Sequence, residues 1–169
     1  WSDRPARRCL RKIMNDLLIL DRFLPYRLSV LSNTVSTAIA NRYTERFDLR
    51  IPEWRVLAVL GMQPGLSAAD VAARTAMDAV AVSRAVTLLL KQGRLERSYT
   101  SQDRRRSELR LSEHGQRVYE EIVPIARAYE RTLLDGLDVT QRLELDRLLQ
   151  LLTQRADRLT IQPPIQDEN

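Results

Sequence analysis

The sequence is poor in the residues that build metal centres and covalent frameworks. Its 169 residues include a single cysteine, Cys9, and a single histidine, His114. One cysteine excludes an internal disulfide framework and a multi-cysteine metal site, and one histidine argues against a zinc site or a histidine-dependent triad. Because no phosphate-binding loop or pair of catalytic carboxylates is recognisable either, we expect no enzyme, no catalytic residues, no metal and no cofactor.

Long apolar runs are also missing. The longest stretches reach only about four or five residues, far below the roughly 18 that a membrane-spanning helix needs. The basic N-terminus is not followed by the apolar segment of a secretory signal. With 44% hydrophobic and 29% charged residues, the composition is that of a folded domain with a sizeable core. We therefore expect a cytoplasmic protein that does not associate with membranes.

Lysine is nearly absent, since the 27 basic residues include only Lys12 and Lys91, and the other 25 are arginines. The formal net charge of +5 is distributed unevenly. Residues 1–12 carry +4 and residues 94–112 carry +3, whereas residues 113–169 carry −4. Because the planar guanidinium group suits phosphates and the edges of DNA bases, the central basic segment makes nucleic acid a candidate partner.

Helical periodicity dominates both ends of the chain. The pattern predicts one helical run up to Phe47, broken or kinked at Pro25, and a further helix that begins at Pro52. Towards the C-terminus it predicts a long helix that begins at Ser112 and contains Pro124. A leucine-rich helix, capped by Asp138 or Thr140, follows it.

The centre of the chain predicts a helix-turn-helix. The first helix covers Leu66–Arg74, with Ser67 as its N-cap, and the longer second helix covers Asp78–Gln92 and ends at Gly93. Apolar residues of the second helix face inward. The opposite face carries small and polar residues near the N-terminal half that would enter a major groove, and we predict these as DNA contacts: Ala79, Ala81, Ser83, Arg84 and Thr87.

A β-hairpin is predicted after the second helix, with strands at Arg94–Tyr99 and Glu108–Leu111. The loop between them, Thr100–Ser107, contains three consecutive arginines. A tip that gathers like charges serves no evident folding purpose, whereas a narrow minor groove concentrates negative potential that attracts arginine. The hairpin is therefore predicted to act as a wing that contacts DNA beside the recognition helix.

The run from Leu66 to Gly115 resembles the multiple-antibiotic-resistance regulator (MarR) family of winged helix-turn-helix proteins. The residues that carry the resemblance are VSRAVTLLLKQGRLER at Val82–Arg97, DRR at Asp103–Arg105 and LRLSEHG at Leu109–Gly115. The resemblance implies a mainly α fold with a small β-hairpin. In the wing it implies that Asp103 orients a neighbouring arginine and that Arg105 enters the minor groove, while Arg104 and Arg106 contact phosphates.

Members of this family bind double-stranded DNA as homodimers, and their first and last two helices form the dimer interface. The resemblance therefore implies a helical dimerisation region (24–50 and 113–161) and a winged helix-turn-helix domain (51–112), preceded by an N-terminal helical extension (1–23). The polar, proline-containing C-terminus (162–169) is predicted to be a disordered tail.

Members of the family often release DNA when a small aromatic acid binds beside the dimer helices. Apolar walls and a cation for the carboxylate would be needed, and the candidates are Arg27, Trp54, Arg55 and His114. The chain is also similar to repressors of nicotinate degradation, whose inducers are hydroxylated pyridine carboxylates. The first hypothesis is thus a homodimeric repressor, released from a pseudo-palindromic operator by an aromatic or pyridine carboxylate.

Two alternatives remain open at this stage. Cys9 lies among Arg7, Arg8 and Arg11, which would lower the pKa of a thiol and suit a redox-sensing repressor. The other alternative is a helical protein-interaction module that binds acidic partners and no DNA. Steep salt dependence together with a preference for a palindrome would distinguish a DNA-binding protein from such a module.

Overall fold

The computed structural model describes residues 18–100 and 103–161, and side chains only outside Thr100, 103–106 and Ile161. A short 3₁₀ turn at Leu20–Arg22 precedes the first α-helix. The elements that follow are α1 (Leu24–Ala40), α2 (Thr44–Phe47), α3 (Ile51–Met62), α4 (Ala68–Thr75), α5 (Ala79–Lys91), β1 (Leu95–Thr100), β2 (Asp103–Leu111), α6 (Glu113–Leu133) and α7 (Val139–Ile161). The predicted fold class, mainly helical with one small β-hairpin, is confirmed.

The first predicted helical run is interrupted twice. Pro25 lies in the first turn of α1, where its missing N–H has no helical partner to lose, so the break expected there is confirmed. The uninterrupted run up to Phe47 is wrong, because α1 ends at Ala40 and α2 is a single turn. The hydroxyl of Thr44 donates to the carbonyls of Ala40 at 2.8 Å and Leu49 at 3.1 Å. These side-chain hydrogen bonds stabilise a turn of the backbone in place of a longer helix.

The predicted helix-turn-helix is present, with both caps at the expected residues. The Ser67 hydroxyl accepts the N–H of Asp70 at 3.2 Å, and the Asp70 carboxylate accepts the N–H of Ser67 at 3.1 Å. Asp78 accepts the N–H of Ala81 at 2.7 Å. Ala76 adopts a left-handed conformation, with φ of 51°, and ends α4. Local capping chemistry therefore sets the turn between the two helices.

The buried core lies around this motif. Ala85, Val86 and Leu89 of α5 are at most 1% exposed, and they pack with Val71 of α4 and Leu57 of α3. Residues between Ala40 and Ile122 account for the whole buried apolar cluster of the described chain. The core thus belongs to the winged helix and to the helical segments directly beside it.

The hairpin pairs antiparallel, with Leu95 opposite Leu111 and Arg97 opposite Leu109. The second strand begins at Asp103, five residues before the predicted Glu108, so the expected loop is shorter. The earlier start of the strand was not predicted, because three consecutive arginines are more typical of a loop than of a strand. On its other edge Leu109 exchanges backbone hydrogen bonds with Gly65 and Leu66, each at 2.9 Å, which attaches the wing to the loop before α4.

Arg94 joins three elements at the base of the wing. Its buried guanidinium donates to the carbonyl of Phe47, and burial lowers its pKa from the ordinary arginine value. Its own carbonyl accepts the N–H of Ser112 at 3.1 Å. It also lies so close to Gly115 that a Cβ at that position would collide with it. Only glycine fits there without moving the backbone.

The described chain divides into two compact units, one ending at Val123 and the other beginning at Pro124. In the first unit Ser112 begins α6 as predicted, because its hydroxyl accepts the N–H of Gly115 at 3.0 Å. In the second, Asp138 rather than Thr140 caps α7, accepting the N–H of Gln141 at 2.8 Å. The domain boundaries predicted from the sequence remain predictions.

Residues 1–17, which include Cys9, and residues 162–169 lie outside the described part of the chain. The predicted extension is thus described only from Leu18, and the predicted tail not at all. Among the described helices none is long and apolar enough to cross a membrane.

Candidate DNA-binding surface and effector site

The recognition helix α5 presents the predicted side chains to solvent. Ala79, Ser83, Arg84 and Thr87 are exposed, and Ala81 is half-buried. Beside them the apolar side chain of Val80 is 58% exposed, although it was not among the predicted DNA contacts. The N-terminus of a helix carries partial positive charge, so this end of α5 suits the approach of a polyanion.

The predicted wing residues lie on the hairpin. Strand β2 runs through Asp103, Arg104, Arg105 and Arg106, at which the structure describes the backbone alone. Thr100 pairs with Asp103, and an irregularity in the ladder follows Tyr99. The roles predicted for these four side chains stay predictions.

An aromatic cluster surrounds Trp54. The Trp54 ring lies 5.8 Å from that of Tyr43 and 6.1 Å from that of Tyr119, centroid to centroid, and it is stacked on the latter. Next to it in sequence, Arg55 is half-buried and donates to the Ser36 hydroxyl at 3.3 Å. Three aromatic rings and one guanidinium group thus come together from α3, α6 and the segment around α1 and α2.

The hydroxyl of Tyr43 is the unusual group of this cluster. Tyr43 is 1% exposed, and its hydroxyl has no hydrogen-bond partner among the described residues. Burial raises the pKa of Tyr43 to about 12, and the negative charge of Glu53 adds to the rise while Arg55 opposes it. A buried donor without a partner costs free energy, so a hydrogen-bond acceptor at this point would be favourable.

Sequence reasoning missed three residues of the cluster: Tyr43, Tyr119 and Gly61. A Cβ on Gly61 would lie 2.7 Å from the Tyr119 ring, so the glycine makes room for the aromatic side chain. Gly61 lies inside α3. A glycine within a helix often marks such a close approach, and this is the signal that could have revealed it.

The other two predicted ligand residues do not join the cluster. Arg27 lines an open hollow of about 590 Å³ along α1, together with Asp21 and apolar side chains such as Leu24 and Leu31. The hollow's walls do not include Trp54, Arg55 or His114. His114 is exposed in the first turn of α6. Of the four predicted residues, the structure brings together Trp54 and Arg55.

In residues 18–100 and 103–161, no group of three or more His, Cys, Asp or Glu side chains is arranged to hold a metal ion.

Comparison with known proteins places the winged helix in a family. The model of the MarR family matches residues 47–106, which span α3, α4, α5 and much of the hairpin. This match and the many similar structures of MarR-family regulators support a winged-helix regulator of the MarR type. A search of curated proteins gave no match. The similarity supports a DNA-binding transcriptional regulator.

Solved structures of MarR-family regulators share the fold over most of this chain. A MarR/EmrR family regulator from Acinetobacter sp. ADP1 is 28% identical, with a TM-score of 0.77 over 83% of this chain and 99% of that one. A probable transcriptional regulator from Pseudomonas aeruginosa is also 28% identical, with a TM-score of 0.68 over 79% and 98%. BpsR from Bordetella bronchiseptica, whose DNA binding is regulated by 6-hydroxynicotinic acid, is 25% identical. Its TM-score is 0.64 over 75% of this chain and 98% of its own.

Proposed function

We propose that this protein is a homodimeric repressor of the MarR type that binds a pseudo-palindromic operator. The observation that carries the proposal is the exposed face of α5, where Ser83, Arg84 and Thr87 are free to reach base edges and phosphates. Arg105 would enter the adjacent minor groove with Asp103 orienting its neighbour, and Arg104 and Arg106 would contact phosphates.

The homodimer is supported by apolar surface that one protomer leaves uncovered. In α7 all residues from Val139 to Thr160 are exposed. Four leucines at helical spacing lie on one face, 37–46% exposed: Leu145, Leu148, Leu149 and Leu152. Monomers rarely expose an apolar surface of this kind, and a second copy would cover it. Two protomers then present two recognition helices about 10 base pairs apart.

The proposed effector is a small aromatic or pyridine carboxylate held at the aromatic cluster. Trp54 and Tyr119 provide faces for a ring, and Arg55 provides the cation for a carboxylate. The unpartnered Tyr43 hydroxyl would donate to an oxygen or nitrogen of the bound acid. BpsR, which 6-hydroxynicotinic acid regulates, supports this chemical class. Arg27 and His114 remain predicted ligand residues without contact to the cluster.

The experiment is a fluorescence-anisotropy titration of the purified protein with labelled DNA from upstream of its own gene. We expect tight, salt-sensitive binding, and we expect Arg105→Ala to weaken it by roughly 1–3 kcal/mol. Unchanged affinity in that variant would contradict the assignment of the wing. No preference for this DNA over random DNA would contradict the regulator itself.

The same titration locates the effector site when 6-hydroxynicotinic acid, nicotinic acid and benzoic acid are added. We expect one of them to release the DNA from the wild type. Arg55→Ala should bind DNA normally and resist release, and Arg27→Ala tests the hollow on α1 as the alternative site. If Arg27→Ala resists release and Arg55→Ala does not, the effector binds at the hollow on α1 instead.

A further inference from the structure

The two faces of the wing differ in charge and in what they pack against. Strand alternation and the observed register place Leu95, Arg97 and Tyr99 on one face, which we call the inner face. Glu96 and Ser98 lie on the opposite face, which we call the outer face, with Glu108 and Arg110 as their partners across the ladder.

The inner face continues the buried core towards the tip. Leu95 and Leu109 are at most 4% exposed and belong to the core that contains α5. Arg97 lies directly opposite Leu109 but is exposed, and Tyr99, one step nearer the tip, is 61% exposed. The side of the hairpin that packs on the recognition helix thus ends in a cation and a large aromatic side chain, both exposed.

The outer face has the opposite character. It carries two carboxylates, those of Glu96 and Glu108, and one guanidinium group, that of Arg110. Arg110 already donates to Glu108 at 3.2 Å, whereas no described carboxylate forms an ion pair with Arg97. A duplex carries a phosphate about every 1.7 Å of its axis. Its negative charge would repel the outer face, which carries an excess of carboxylates, and attract the inner face, which carries Arg97.

We propose that the wing meets DNA with its inner face, and that Arg97 and Tyr99 are DNA-backbone contacts in addition to the arginines of the tip. Arg97 pairs with a phosphate, and the Tyr99 hydroxyl donates to a neighbouring phosphate or sugar oxygen. Such contacts fix the wing's position on the duplex and carry no base information. This inference rests on the proposed binding of an operator.

The hairpin supplies its own matched control, because Arg97 and Arg110 are the same residue type on opposite faces. Binding of the wild type, Arg97→Ala and Arg110→Ala to the upstream DNA is measured over a series of KCl concentrations. Each lost phosphate contact lowers the slope of log affinity against log salt by about 0.9. We expect Arg97→Ala to lower it by about 1.8 for a dimer and Arg110→Ala to leave it unchanged.

Tyr99 is tested by two substitutions under the same conditions. We expect Tyr99→Ala to weaken binding by more than about 10-fold, because each protomer loses a hydrogen bond to a charged group, and Tyr99→Phe to weaken it nearly as much. If Tyr99→Phe binds like the wild type, the ring rather than the hydroxyl makes the contact, and the proposed hydrogen bond is wrong.

The outcomes separate this inference from the proposed function. If Arg110→Ala lowers the salt slope and Arg97→Ala does not, the wing faces DNA with its outer face and the inference is overturned. If neither variant changes binding while Arg84→Ala weakens it, the strands of the wing lie away from DNA, and the regulator still stands. Failure of the wild type to prefer the upstream DNA would overturn the proposed function instead.

Discussion

Helices α5 and α7 are both rich in leucine, but the two differ in what their leucines do. In α5, Leu89 is 0% exposed inside a core built from α3, α4 and the hairpin. In α7 no residue from Val139 to Thr160 is buried, and Leu149 is 46% exposed. Leu89 of α5 is packed inside the core, whereas the leucines of α7 are exposed to solvent.

The difference separates two sources of stability. The winged helix buries its apolar residues through contacts within one chain, so its free energy of unfolding does not require a second protomer. The leucines of α7 gain free energy only when another surface removes them from water. Under the proposed dimer, that gain depends on protomer concentration. Substitutions in the two helices should therefore fail in different ways.

The largest effect is expected from a charge on the leucine face of α7. Leu149→Asp should convert the proposed dimer into a monomer, because burying an unpaired carboxylate at an interface is strongly unfavourable. Sedimentation velocity measures the mass, and operator affinity should fall by about 100-fold or more as the second half-site is lost. Gln154→Asp, on the opposite side of the same helix, is the control. A dimer that survives Leu149→Asp would show that α7 does not form the interface.

A smaller effect, confined to stability, is expected within α5. Leu89→Ala should lower the free energy of unfolding by about 2–5 kcal/mol, since it leaves a cavity in a packed core. Its neighbour Leu88 is 36% exposed, and Leu88→Ala should cost less than about 1 kcal/mol. Denaturant unfolding at a fixed protomer concentration measures both. Equal losses would mean that an unrecognised surface covers Leu88.

The smallest effect is expected at alkaline pH and comes from Tyr43. Its pKa is about 12 in the folded protein and about 10 in an unfolded chain, so the unfolded state loses the proton first. The contribution of Tyr43 to the free energy of unfolding is therefore fully present well below pH 10. It falls between about pH 10 and 12, by up to about 3 kcal/mol. Tyr43→Phe should not show this part of the fall.

The measurement for Tyr43 is the free energy of unfolding as a function of pH. Tyr26→Phe is the comparison, because Tyr26 is 42% exposed and its removal should leave the wild-type profile unchanged. If the wild type and Tyr43→Phe lose stability in parallel, the Tyr43 hydroxyl is not shielded from solvent in the folded protein.

The helix-turn-helix could be predicted from the sequence because its determinants are local. Ser67, Asp78 and Ser112 cap their helices through residues three positions away, and such spacings are visible in a sequence. The hairpin was likewise predicted from its strand pattern and its arginine-rich tip, and the family resemblance added the roles of individual wing residues. The helix-turn-helix and the hairpin are confirmed as to fold, although the second strand begins earlier than predicted.

The aromatic cluster could not be predicted because its contacts are distant in sequence. Tyr43, Trp54 and Tyr119 belong to three separate elements, and nothing in their local sequence indicates that they meet. The same reason explains why Arg27 and His114 were grouped with Trp54. All four predicted ligand residues, which are Arg27, Trp54, Arg55 and His114, have suitable chemistry. Only packing decides which of them are neighbours. The break after Ala40 was missed because it depends on the side-chain hydrogen bonds of Thr44.

The base of the wing has a consequence for the DNA that this fold can accept. Arg94 connects the end of α5, the first strand and the start of α6 through its backbone, and its guanidinium group donates to the carbonyl of Phe47. Gly115 leaves no gap against it. The recognition helix and the wing therefore cannot separate or approach without breaking these contacts. Within each half of a proposed operator, the distance between the major-groove and minor-groove contacts is set by the protein. Any tolerance for a different spacing must then arise between the two halves.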